Sequence, residues 1–145
     1  MSNDDPSKNG ASAVRLGYTI AYVDDVGTTV GFYAAAFGFG VGLLTPEGDY
    51  GELDTGSTTL AFAAASLAQD NLASGGGCAE FSSISAPPPV AITLLTDDVH
   101  GAVAAAVANG ARAYVDPATK PWGQLVAYVL DPNGLLLELA TPVAG

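Results

Sequence analysis

An internal repeat constrains this chain more than any other feature. Asp24-Asp25-Val26 recurs as Asp97-Asp98-Val99, 73 positions on (97 − 24), and the run from Asp54 to Ala63 recurs from Asp131 to Ala140, 77 positions on (131 − 54). Self-similarity at one period means that a supersecondary unit is used twice. The drift between the two offsets corresponds to loop insertion in the second copy. In the first copy, residues 17–23 read as a strand, Asp24-Asp25 offers an N-cap, and residues 26–37 read as a helix with apolar Val30, Phe32, Tyr33 and Phe37. Gly38 and Gly40 end that helix. Strands follow at 39–44, 50–54 and 58–64, joined by Thr45-Pro46-Glu47-Gly48 and Thr55-Gly56-Ser57.

The second copy repeats the order. Residues 90–96 read as a strand, 99–108 as an alanine-rich helix closed by Asn109-Gly110, and 112–115, 124–130 and 135–140 as three further strands. Asp131-Pro132-Asn133-Gly134 suits a type I turn, because Pro fixes φ at the second position. The expected fold class is α+β, with two tandem βαβββ modules forming a cupped mixed sheet in one structural domain. Residues 1–13 are expected to be a disordered acidic tail, 14–66 the first module, 67–89 a linker and 90–145 the second module. Gly75-Gly76-Gly77 and Pro87-Pro88-Pro89 mark the linker, which has room for a short helix at 66–69.

Composition narrows the functional classes. With 15 acidic against 4 basic side chains the net charge is −11, which repels nucleic acid and anionic membranes and suits either a cationic ligand or adaptation to salt. No apolar run is long enough to span a bilayer, and the N-terminal residues lack the basic and apolar regions of a signal peptide. A cytoplasmic location is the expectation. The single cysteine, Cys78, excludes an internal disulfide framework. Glu138 is the most conspicuous residue: an ionised carboxylate among leucines is costly unless it is paired, metal-bound or facing water.

Several motifs, in this order and spacing, carry a resemblance. They are Tyr22-Val23-Asp24-Asp25-Val26, Phe32-Tyr33, Phe37-Gly38-Phe39, Thr96-Asp97-Asp98-Val99, Asn109-Gly110-Ala111, Pro121-Trp122-Gly123, and Asp131-Pro132-Asn133-Gly134 with Glu138. The pattern resembles the vicinal oxygen chelate superfamily, which includes glyoxalase I, bleomycin-resistance proteins and extradiol dioxygenases. The resemblance implies that metal ligands come from the first and fourth strands of each module, at positions that here are Tyr18, Ala61, Ala91 and Glu138. Two alanines cannot ligate, and a protein-held divalent transition metal wants roughly three or four N, O or S ligands. The expectation is therefore a protein without a cofactor, the fold kept and the metal lost. His100 follows the second helix cap and reads as a solvated helix residue.

Period-two alternation names the wall of the implied cavity. Tyr18, Ile20 and Tyr22 share a face, as do Thr59, Ala61 and Ala63, Ala91, Thr93 and Leu95, and Leu136, Glu138 and Ala140. Ala21, Val23, Leu60 and Phe62 are expected to pack under the helices. Alanines at ligand positions would leave space for a small molecule. The expected ligand-binding set is Tyr18, Tyr22, Thr59, Ala61, Ala91, Thr93, Trp122 and Glu138, with an aromatic or cationic ligand and a homodimeric assembly. Trp122 reads equally as a stacking platform or a core anchor. The alternative function is a glyoxalase- or dioxygenase-type enzyme that uses Glu138 as acid–base group or metal ligand.

Overall fold

The computed structural model describes residues 13–143. The acidic tail expected at residues 1–13 lies almost wholly outside the described residues. The first module runs β1 (Tyr18–Val23), α1 (Val26–Phe37), β2 (Gly40–Leu44), β3 (Tyr50–Asp54) and β4 (Thr59–Ala64). After α2 (Ala65–Asn71) and two short 3-10 turns, the second runs β5 (Ala91–Leu95), α3 (Val99–Ala108), β6 (Arg112–Thr119), β7 (Leu125–Leu130) and β8 (Leu136–Ala140). Each module closes its own four-stranded mixed sheet, in the order β1-β4-β3-β2 and β5-β8-β7-β6. The α+β architecture with two tandem βαβββ units is therefore present.

Register shows how closely the copies agree. Tyr18 pairs Thr59 and Ile20 pairs Ala61 in the first sheet, while Ala91 pairs Leu136 and Thr93 pairs Glu138 in the second. Those partners are related by the two repeat offsets. Both helices start on the predicted aspartates: Asp25 Oδ1 accepts from the Thr28 amide and Asp98 Oδ1 from the Gly101 amide, each at 2.9 Å. Gly38 ends α1 in the left-handed conformation at φ 76°.

The strand β6 continues to Thr119, beyond the expected 112–115. The ladder accommodates Pro117 where the β6–β7 register shifts between Val115 and Ala118. The core lies between helices and sheets and is continuous across both modules, uniting Val23, Val30, Phe32, Tyr33, Leu53 and Phe62 with Val99, Val129, Leu137 and Leu139. Tyr33 stacks on Phe62 with ring centroids 5.0 Å apart. Among the described residues, no helix is long and apolar enough to cross a membrane.

Candidate functional site

The alternation that buries Leu137 and Leu139 under the helices turns Glu138 to the opposite face of β8. Register brings Thr93 from β5 and Tyr128 from β7 alongside it. Glu138 Oε1 accepts from the Thr93 hydroxyl at 2.6 Å, and Oε2 accepts from the Tyr128 hydroxyl at 2.7 Å. That hydrogen bond, with burial and the charge of Glu138 behind it, raises the Tyr128 phenol above its ordinary pKa. Tyr128 therefore remains a donor at neutral pH. Both donors to Glu138 are neutral hydroxyls, so they orient the carboxylate without cancelling its charge.

Beside this triad lies a cleft of about 510 Å³ where the two modules approach. Thr19, Thr59 and Leu60 line it from the first module, and Ala91, Thr93 and Ile92 from the second. Three of the predicted ligand-binding residues, Thr59, Ala91 and Thr93, thus meet in one hollow, and Thr93 links it to Glu138. Tyr22 and Ile20 line a separate hollow of about 270 Å³, shared with Phe81, Val90 and Cys78.

The remaining predicted residues are placed differently. Ala61, expected to open space, is fully buried between its register partners Ile20 and Glu52. Tyr18 is 54% exposed. Trp122 is 64% exposed, which removes the core-anchor reading, and its indole N–H donates to Gln124 Oε1 at 2.6 Å. His100 is exposed on α3, as expected. Sequence reasoning missed Tyr128, and on the first sheet Tyr50 and Glu52. Tyr50 donates its hydroxyl to Glu52 Oε2 at 2.8 Å.

The four positions where the resemblance implies metal ligands are Tyr18, Ala61, Ala91 and Glu138. Ala61 and Ala91 have no side-chain ligand atom, and each oxygen of Glu138 accepts one hydroxyl hydrogen bond. Among the described residues no three His, Cys, Asp or Glu side chains gather where they could hold a metal ion.

Residues 15–139 match the family model of the Glyoxalase/Bleomycin resistance protein/Dioxygenase superfamily. The chain belongs to this superfamily. Several solved structures that it resembles carry glyoxalase-family descriptions. A glyoxalase-related enzyme from Fulvimarina pelagi superposes with a TM-score of 0.75 at 20% identity, covering 90% of this chain and 89% of that one. A glyoxalase/bleomycin resistance protein/dioxygenase family enzyme from Burkholderia phytofirmans PsJN gives a TM-score of 0.72 at 24% identity, covering 90% and 100%. A glyoxalase/bleomycin resistance protein/dioxygenase from Nocardioides gives 0.68 at 21%, covering 96% and 90%. At such identities the likeness speaks for the superfamily fold alone. No curated protein matches the chain at a significant level.

Proposed function

We propose that this superfamily member binds a small amphipathic cation, without a metal, in the cleft between its modules. The observation that carries the reading is the Glu138 carboxylate, held between the hydroxyls of Tyr128 and of Thr93, a residue that lines that cleft. A volume of about 510 Å³ lies within the few-hundred to roughly 1,000 Å³ range of small-molecule sites. Phe39, Leu60, Ile92 and Leu94 supply apolar contact, and the threonine hydroxyls supply hydrogen bonds. Glu138 selects positive charge, and the net charge of −11 favours the approach of a cation. Exposed Trp122 offers a flat surface for stacking at the far end of β7.

The test is a thermal-shift screen of planar aromatic amines and quaternary ammonium compounds against their neutral isosteres. Cations should raise the melting temperature of the wild type. Glu138→Gln should weaken their binding about tenfold or more, as expected for losing a charge-assisted contact of about 1.5–3 kcal/mol. A screen in which no cation shifts the melting temperature would sink the proposal.

A second reading has its own support, since the hydrogen-bonded Tyr128–Glu138 pair is a geometry for moving a proton. The same variant separates the two. A binder loses cation affinity, whereas an acid–base enzyme loses turnover of a bound substrate.

A further inference from the structure

A further hollow lies at one end of the second sheet, where the linker passes the β7–β8 turn. It has a volume of about 340 Å³ and is lined by Phe81, Ile84 and Ser85 of the linker, by Arg112, and by the turn at residues 131–134. Arg112 opens β6 and pairs Leu130 in the register, which sets it beside that turn. In a chain with 4 basic side chains against 15 acidic ones, an arginine would be expected to find a carboxylate. Among the described residues the Arg112 guanidinium has neither an ion pair nor a hydrogen bond. The carboxylate in the same hollow, Asp131, is already engaged. Its Oδ1 accepts three backbone amides, its Oδ2 accepts the Tyr33 hydroxyl, and the residue is buried. The Ser85 hydroxyl also has no hydrogen-bond partner among the described residues.

We propose that this hollow binds a small monocarboxylate, with Arg112 as its anchor and the Ser85 hydroxyl as a second donor. A guanidinium presents paired N–H donors in one plane, and the two oxygens of a carboxylate match them. Phe81, Ile84 and Pro132 supply apolar surface for the body of such a ligand. Charge limits the ligand to one negative unit. One guanidinium balances one carboxylate, whereas Asp131 in the wall and the net charge of −11 oppose a dianion. The sign of the site is opposite to that of Glu138, so the two hollows take different compounds.

Calorimetric titration of the intact chain at low salt tests this, with benzoate as the probe, benzamide as its neutral counterpart and phenyl phosphate as its dianionic one. Benzoate should bind, benzamide about tenfold or more weakly than benzoate, and phenyl phosphate also more weakly than benzoate. Arg112→Gln should lower benzoate affinity about tenfold or more, as for the loss of a charge-assisted bidentate contact. Arg112→Lys keeps the charge but loses the planar fork, so its loss should be smaller. Ser85→Ala, at an exposed linker position, should weaken benzoate several-fold and leaves β6 untouched. Melting temperatures close to wild type would show that the variants fold. Glu138→Gln should leave benzoate binding unchanged, so this site and the cation cleft stand or fall separately. No benzoate binding by the wild type, equal binding of benzamide, or unchanged benzoate affinity in Arg112→Gln would overturn the proposal. Tighter binding of phenyl phosphate than of benzoate would overturn the choice of a monocarboxylate.

Discussion

Tyr33 is the residue on which the two modules meet. Its ring is fully buried in the first module, while its hydroxyl donates to Asp131 Oδ2 of the second at 2.7 Å. Asp131 is itself buried, and its Oδ1 accepts the amides of Asn133, Gly134 and Leu135, so one carboxylate ties a turn to a distant helix. Burial, then the charge and hydrogen bond of Asp131, raise the Tyr33 phenol well above its ordinary pKa, which keeps the donor protonated. Tyr33→Phe preserves the stacking but leaves a buried acceptor short of one partner. The expected loss is about 1–3 kcal/mol in urea denaturation at unchanged m-value. Unaltered stability would mean that the inter-module bond contributes nothing net. At this scale the sequence was legible where a residue violated its surroundings. Glu138 stands out as a lone charge among leucines, but Tyr128 and Glu52 do not, because their role depends on cross-strand register. Composition does not carry register, and only the pairing of Ala61 with Glu52 and of Glu138 with Tyr128 reveals it.

Elements were legible wherever a cap or turn marked them. The helices α1 and α3 match their expected spans because the aspartate caps and the closing Gly38 or Asn109 bound them. How tightly α1 sits on its sheet was not legible, and Gly51 reports it. A Cβ at Gly51 would meet Val30 Cγ2 at 3.0 Å, and Leu44 Cδ1 and Val26 Cγ1 at 3.3 Å. Two of these contacts come from α1, so Gly51→Ala should push the helix off β3 and cost about 1–3 kcal/mol. Gly31→Ala is the matched control. It lies on the exposed side of the same helix with nothing within 4 Å of the added atom. There the gain in helix propensity should raise stability by about 0.5–1 kcal/mol. Thermal melts of the two variants should therefore move in opposite directions, and a neutral Gly51→Ala would show that α1 can shift freely.

At the scale of the whole molecule, two outer edges are left apolar. All five residues of β2 are exposed, including Val41, Leu43 and Leu44, and β6 exposes Tyr114 and Val115. Both are terminal strands of their sheets, where unpaired backbone and apolar side chains invite another strand. We propose that a second copy covers these edges and that the protein is a homodimer. Charge works against this, because two copies at −11 each repel one another. The balance is testable, since screening shortens from about 30 Å at 0.01 M salt to about 3 Å at 1 M. Dimer content measured by sedimentation velocity should therefore rise with salt, the opposite of an interface held by opposite charges. Val41→Lys places a charge on the β2 edge and should shift the equilibrium toward monomer at every salt concentration. A wild type that sediments as a monomer even at high salt would mean that the exposed edges are not an interface. A dimer that salt dissociates would instead place the contact on the few basic side chains the chain possesses.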